Sequence, residues 1–131
     1  MPAHPLKTLI EAADRAITAE DFDSLMDFYA EDATLVVKPG LEARGKEQIR
    51  RAFVAIAEHF NHSMLVRQGA MQVIEGAGTA LVIMHTLLDT LDRDGVASTL
   101  ERRATYVFRH EPSGAWRCVI DNSYGTDLLD G

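Results

Sequence analysis

Cysteine is nearly absent from this 131-residue chain: Cys118 stands alone, so no internal disulfide can form and a reducing compartment is the expected setting. Basic residues are also in short supply, 13 against 20 acids, for a formal charge of −7. A nucleic-acid binder would carry a basic stripe, and a protein drawn to anionic membranes a basic patch; neither is present. No apolar run approaches the roughly 18 residues of a spanning helix. The opening Met-Pro-Ala-His-Pro lacks the basic and apolar regions of a signal peptide. No glycine-rich phosphate loop follows a strand, which removes nucleotide binding. The expectation is a soluble cytoplasmic protein with no nucleic-acid or membrane partner.

What is there reads as one globular domain over residues 1–131. Apolar residues make up 47% and charged residues 25%, and a chain of this size can bury a core without a metal or disulfide staple. Eight of the carboxylates fall in the first 32 residues (Glu11, Asp14, Glu20, Asp21, Asp23, Asp27, Glu31, Asp32), opposed only by Lys7 and Arg15. Leu6, Leu9, Ile10, Ala13 and Ile17 repeat at helical spacing after Pro5, with Lys7, Glu11, Asp14 and Arg15 assigned to the solvated side. Asp21 caps a second, short helix bearing Phe22, Leu25, Met26 and Tyr29. Residues 33–37 read as a strand stopped by Lys38-Pro39-Gly40. Ile49, Ala52, Phe53, Ile56, Ala57 and Phe60 then mark a third helix.

From Met64 the period becomes two. Strands are predicted near 64–75, 79–91, 96–110 and 115–124, separated by Gly76-Ala77-Gly78, Arg93-Asp94-Gly95 and Pro112-Ser113-Gly114. Such long strands must coil, and Gly69 in mid-strand suggests a bulge. The order α-α-β-α-β-β-β-β predicts an α+β cone, in which a curved antiparallel sheet wraps a long helix and leaves a cavity. Its convex face, half apolar, is expected to meet a second copy in a homodimer.

Three segments carry a resemblance. Asp21-Phe22-Asp23-Ser24-Leu25-Met26-Asp27-Phe28-Tyr29-Ala30-Glu31-Asp32-Ala33-Thr34 resembles the acid-rich helix before the first strand of the nuclear transport factor 2-like superfamily, whose fold is also called cystatin-like. Arg44-Gly45-Lys46-Glu47-Gln48-Ile49-Arg50 is similar to the start of that superfamily's third helix. Trp116-Arg117-Cys118-Val119-Ile120-Asp121-Asn122-Ser123-Tyr124 resembles the closing strand of the SnoaL-like and ketosteroid isomerase-like branches. The fold hosts isomerases, cyclases, dehydratases and non-catalytic binding domains.

The resemblance also implies strand parity. It turns Trp116, Cys118, Ile120, Asn122 and Tyr124 inward, with Leu81, Ile83, His85 and Leu87, and with Arg102, Ala104, Tyr106 and Phe108. Tyr29, Val37 and Phe53 would complete the walls. A slip of one residue at a bulge would exchange these sets. Ketosteroid isomerase needs an Asp base and an oxyanion hole of Tyr with a protonated Asp. Here the base position falls on Val37 or Lys38, the tyrosine near Ala13 and the second carboxylate near Tyr106, so that mechanism is not expected.

Two functions follow. One is a binding protein for a small apolar or aromatic metabolite, favoured by the missing base and the apolar walls. The other is a cofactor-independent isomerase, cyclase or dehydratase in which His85 is the acid/base and Tyr106 and Asn122 polarise a carbonyl. His85 also reads simply as a core histidine. His59 and His62 have no third ligand nearby, so no metal is implied. Arg103, Arg109 and Arg117 are expected outward, pairing with Glu101 or Asp121.

Overall fold

His4 and Pro5 start the first helix: the His4 Nδ1 accepts from the Leu6 N–H at 3.1 Å, and proline occupies the first turn of α1 (Pro5–Ala19). The computed structural model describes residues 4–130, so Met1 to Ala3, on which the signal-peptide reading partly rests, and Gly131 lie outside the described residues. Asp21 caps α2 (Phe22–Leu25) as expected, accepting from the Ser24 N–H at 3.3 Å. The chain then tightens into a 3-10 turn over Met26–Phe28. Tyr29 therefore leaves the helix and opens β1 (Tyr29–Lys38). Lys38-Pro39-Gly40 does not stop the sheet but turns the chain, with Gly40 at φ 83°, into β2 (Leu41–Arg44). α3 (Lys46–His59) buries Ile49, Phe53 and Ala57.

The last four strands fall where the period-two pattern puts them: β3 (Leu65–Gly76), β4 (Thr79–Leu91), β5 (Ala97–His110) and β6 (Trp116–Asn122). The sheet runs β2-β1-β6-β5-β4-β3. β1 pairs parallel to β6, so a mixed sheet replaces the wholly antiparallel one expected. It is curved and unclosed, with the helices on its concave side. The core there includes Leu6, Ile10, Ile49, Phe53, Val82, Met84, Ala104 and Phe108.

Two bulges set which side chains face the helices. In β3 the register against β4 shifts between Gln68 and Met71, at Gly69. A Cβ at Gly69 would stand 2.8 Å from the His85 Nδ1, so the close approach of that imidazole requires glycine. In β6, Cys118 opposes Phe108 while Ile120 opposes Val107, which leaves Val119 as the extra residue. Past Val119 the parity of β6 is reversed.

Candidate functional site

A cavity of about 730 Å³ lies between α1, α3, the β1–β2 hairpin and the concave sheet. Its walls are largely apolar (Ile17, Leu35, Phe53, Ile56, Phe60, Leu88), and its polar lining comprises Gln48, Ser123 and two further sets. One comprises Asp14, Thr86, Tyr106 and Asp121. The other comprises Lys38, Glu42, Arg51 and Arg102, with His59 and Tyr124.

The parity flip places Asp121 in this wall. The Tyr29 hydroxyl donates to its Oδ2 at 2.6 Å, and the residue is 8% exposed. Burial pushes the Asp121 carboxyl up to about 6, against the pull of the Tyr29 hydrogen bond. Asp14 comes from α1, one turn after Ile10 and three residues before Ile17, on the helix's apolar stripe rather than its solvated side. Burial pushes its carboxyl up to about 7, with the charges of Asp121 and Glu11 adding, while the Gln68 hydrogen bond and Arg15 pull it down. The Gln68 Nε2–H donates to the Asp14 Oδ2 at 2.9 Å, and the Gln68 Oε1 accepts from the Thr86 hydroxyl at 2.8 Å. Both phenols, Tyr29 and Tyr106, are held well above their ordinary range, first by burial and then by the neighbouring Asp121 charge. They stay neutral donors at any physiological pH.

The expected site residues divide. Val37, Phe53, Arg102, Tyr106 and Tyr124 line the cavity. Tyr29 and Phe108 are fully buried behind its wall, where Phe28 packs edge-on against both rings. Trp116 packs against the core and stacks on His110 at 4.6 Å, away from the cavity.

Six placements are corrected. Leu81, Ile83, His85 and Leu87 lie on the convex face, because β4 has the opposite parity: Val82, Met84, Thr86 and Leu88 point inward. His85 Nε2 meets Glu101 Oε1 at 2.5 Å there, and the ring touches no cavity group. Ile120 is 44% exposed and Asn122 leaves the wall, both carried outward by the Val119 bulge. Asn122 instead shapes the chain's next turn: its Oδ1 accepts from the N–H groups of Tyr124 and Gly125, each at 3.1 Å, and its Nδ2 donates to the Gly125 carbonyl.

Among the outward arginines, Arg109 pairs with Asp32 and Glu111, and Asp121 is unreachable from that face. Asp14 and Asp121 are the residues the sequence analysis missed. For Asp14 the i+4 and i−3 relation to Ile10 and Ile17 was an available signal. For Asp121 the partner that marks it, Tyr29, is 92 residues away. Among the described residues, no three His, Cys, Asp or Glu side chains come together as a metal site requires.

The SnoaL-like domain profile matches residues 6–121, nearly all of this architecture. The chain belongs to the SnoaL-like family. Among solved structures, this SnoaL-like chain is similar to Aln2 from a Streptomyces species, with a TM-score of 0.81 at 16% identity over 99% of this chain and 97% of that one. It is similar to an uncharacterised Caulobacter vibrioides protein with a cystatin-like fold, with a TM-score of 0.74 at 20% identity over 95% and 91%. A Catenulispora acidiphila protein solved in complex with S-DNPA gives a TM-score of 0.75 at 18% identity over 88% and 87%. These likenesses establish the cystatin-like fold. No curated protein matches the SnoaL-like chain.

Proposed function

We propose that this protein, acting as one domain over residues 1–131, is a cofactor-independent enzyme that moves a proton next to the carbonyl of a small, largely apolar molecule, in the manner of an isomerase, cyclase or dehydratase. The observation that carries this reading is a pair of carboxyls, Asp121 buried and Asp14 half-buried, both raised toward neutral pH in a mostly apolar cavity beside Tyr106. A group with a pKa near the working pH is the most effective proton carrier. At pH 7 to 8 Asp121 is largely ionised and suits the base. The Tyr106 hydroxyl, neutral throughout this range, suits donation to a carbonyl oxygen as charge develops on it, assisted by the protonated fraction of Asp14. Tyr29 occupies one Asp121 oxygen and fixes the carboxyl plane.

A pure binding role was attractive while no carboxylate base was in view; the carboxyl pair removes that ground. His85 has no part in this chemistry. The bound form of a structural neighbour lends support to small-molecule binding, since the Catenulispora protein holds S-DNPA. The test is deuterium wash-in at the carbon next to the carbonyl of 2-tetralone, followed by proton NMR in heavy water. Exchange faster than the buffer blank, reduced about 10²- to 10⁴-fold by Asp121→Asn, is expected. Exchange no faster than the blank, or unaffected by that substitution, overturns the reading.

The convex face supports pairing of two copies of this chain. Ile74, Leu81, Val107 and Ile120 form one cross-strand row over β3, β4, β5 and β6. Ile74, Leu81 and Ile120 are 53%, 37% and 44% exposed, and Ile83 lies beside them at 40%. An apolar row that crosses four strands can pair with its own copy about a two-fold axis.

A further inference from the structure

The second polar set of the cavity has a chemistry of its own. Arg102 projects from β5, and its guanidinium carbon lies 5.0 Å from the centre of the Tyr124 ring. The Tyr124 hydroxyl donates to the Val37 carbonyl at 3.4 Å, so the same ring ties Arg102 to the backbone beside Lys38. Asn122 holds the turn that presents Tyr124. Arg102 and the exposed Lys38 both line the cavity, with Val37 and Tyr124 between them in the wall.

Neither forms an ion pair among the described residues, and Arg102 makes only a long hydrogen bond to the Glu101 carbonyl. The other charged groups of this wall are engaged: Glu42 with Arg44, and Arg51 with Glu47 at 2.5 Å. In a chain of formal charge −7, two unengaged cations on one apolar cavity are a distinctive feature. An arginine held over an aromatic ring by a cation–π contact has N–H donors left for a carboxylate, which can accept from two at a time.

We infer that the cavity takes an apolar molecule bearing a carboxylate, whose anionic end is held by Arg102 and Lys38 while its body lies against the apolar walls toward Tyr106 and Asp121. This rests on the proposed function and names its substrate class: an aromatic or alicyclic keto acid, preferred over neutral ketones such as 2-tetralone that the site also turns over. Polar recognition at one end would fix the register of an otherwise featureless apolar body.

Calorimetric titration with 1-naphthoate and with its neutral analogue 1-naphthalenemethanol tests it. Naphthoate is expected to bind at least tenfold more tightly, with the gap narrowing in 0.5 M salt. Arg102→Met, which keeps the aliphatic stem, removes most of that gap and leaves the alcohol within about twofold. Arg102→Lys restores part of it, and Lys38→Met costs about threefold for the acid alone. Equal binding of acid and alcohol, or an Arg102→Met loss shared by both, overturns the inference while leaving the exchange test of the proposed function standing. Binding of neither overturns the inference and the apolar cavity as a ligand site together. Exchange of 2-tetralone no faster than the blank, or untouched by Asp121→Asn, with the naphthoate preference intact separates the two in the other direction.

Discussion

The two faces of one sheet have different trades here. The concave face buries Tyr106 and Asp121 against the helices and holds a cavity, with Thr86 in its wall. The convex face carries an apolar row flanked by polar groups, including the exposed His85–Glu101 pair. Neighbouring residues on a strand go to opposite faces, so Asp121 and Asn122 differ in environment by more than their side chains do: one is buried with a raised pKa, the other ties a surface turn. A titratable group gains proton-transfer value from the side of the sheet it lands on.

The largest effect that should separate the faces is catalytic. Asp121→Asn is expected to abolish most 2-tetralone exchange while raising stability at pH 8, because the amide fills the same space and accepts from Tyr29 without a buried charge. Thermal unfolding of the same sample checks the second half. On the convex side, Leu81→Asp places a charge in the middle of the cross-strand row and should weaken self-association at least a hundredfold by sedimentation. The separated chain should keep its exchange activity within a few-fold. Loss of both together would mean that the faces are not independent.

The two carboxyls also leave a mark on stability. Unfolded, both release their protons near 3.8; folded, they do so near 7 for Asp14 and near 6 for Asp121. Between those values the folded chain binds more protons, so stability falls as pH rises from about 4 to about 7 and levels off above. Their combined effect is on the order of a few kcal/mol. Urea unfolding across that range should show the slope, and the double substitution Asp14→Asn with Asp121→Asn should flatten it.

Much of the frame was legible because it is local. Helical steps of three and four gave α1 and α3, Asp21 gave a cap, and glycine-bearing turns gave three hairpins. The resemblance in three segments gave the fold. The facing of the strands was less accessible. In β4, Ala80 to Met84 are apolar at every position, so alternation cannot say which set is inside. In β6, Cys118, Val119 and Ile120 are apolar in succession, so alternation does not say which of them is the extra residue. The bulge at Gly69 was visible because glycine is itself the signal. The burial of Asp121 depends on pairing with a tyrosine from the other end of the chain, and the proposed base stayed hidden for that reason.

The smallest effects test His85, the residue that the sequence put at the centre. Its imidazole is on the convex face, paired with an exposed carboxylate, and an ion pair of that kind contributes little. His85→Ala should leave 2-tetralone exchange within twofold and cost less than about 1 kcal/mol of stability. Its real constraint is steric. Gly69→Ala drives a methyl to 2.8 Å from Nδ1, and crowding of this sort costs about 1–3 kcal/mol. Removing the imidazole in the same chain should recover most of that loss, a coupling that urea unfolding of the two single variants and the double variant measures. Additive losses would place the strain in the bulge backbone. A large drop in exchange from His85→Ala alone would put this imidazole back in the chemistry and contradict the division between the two faces.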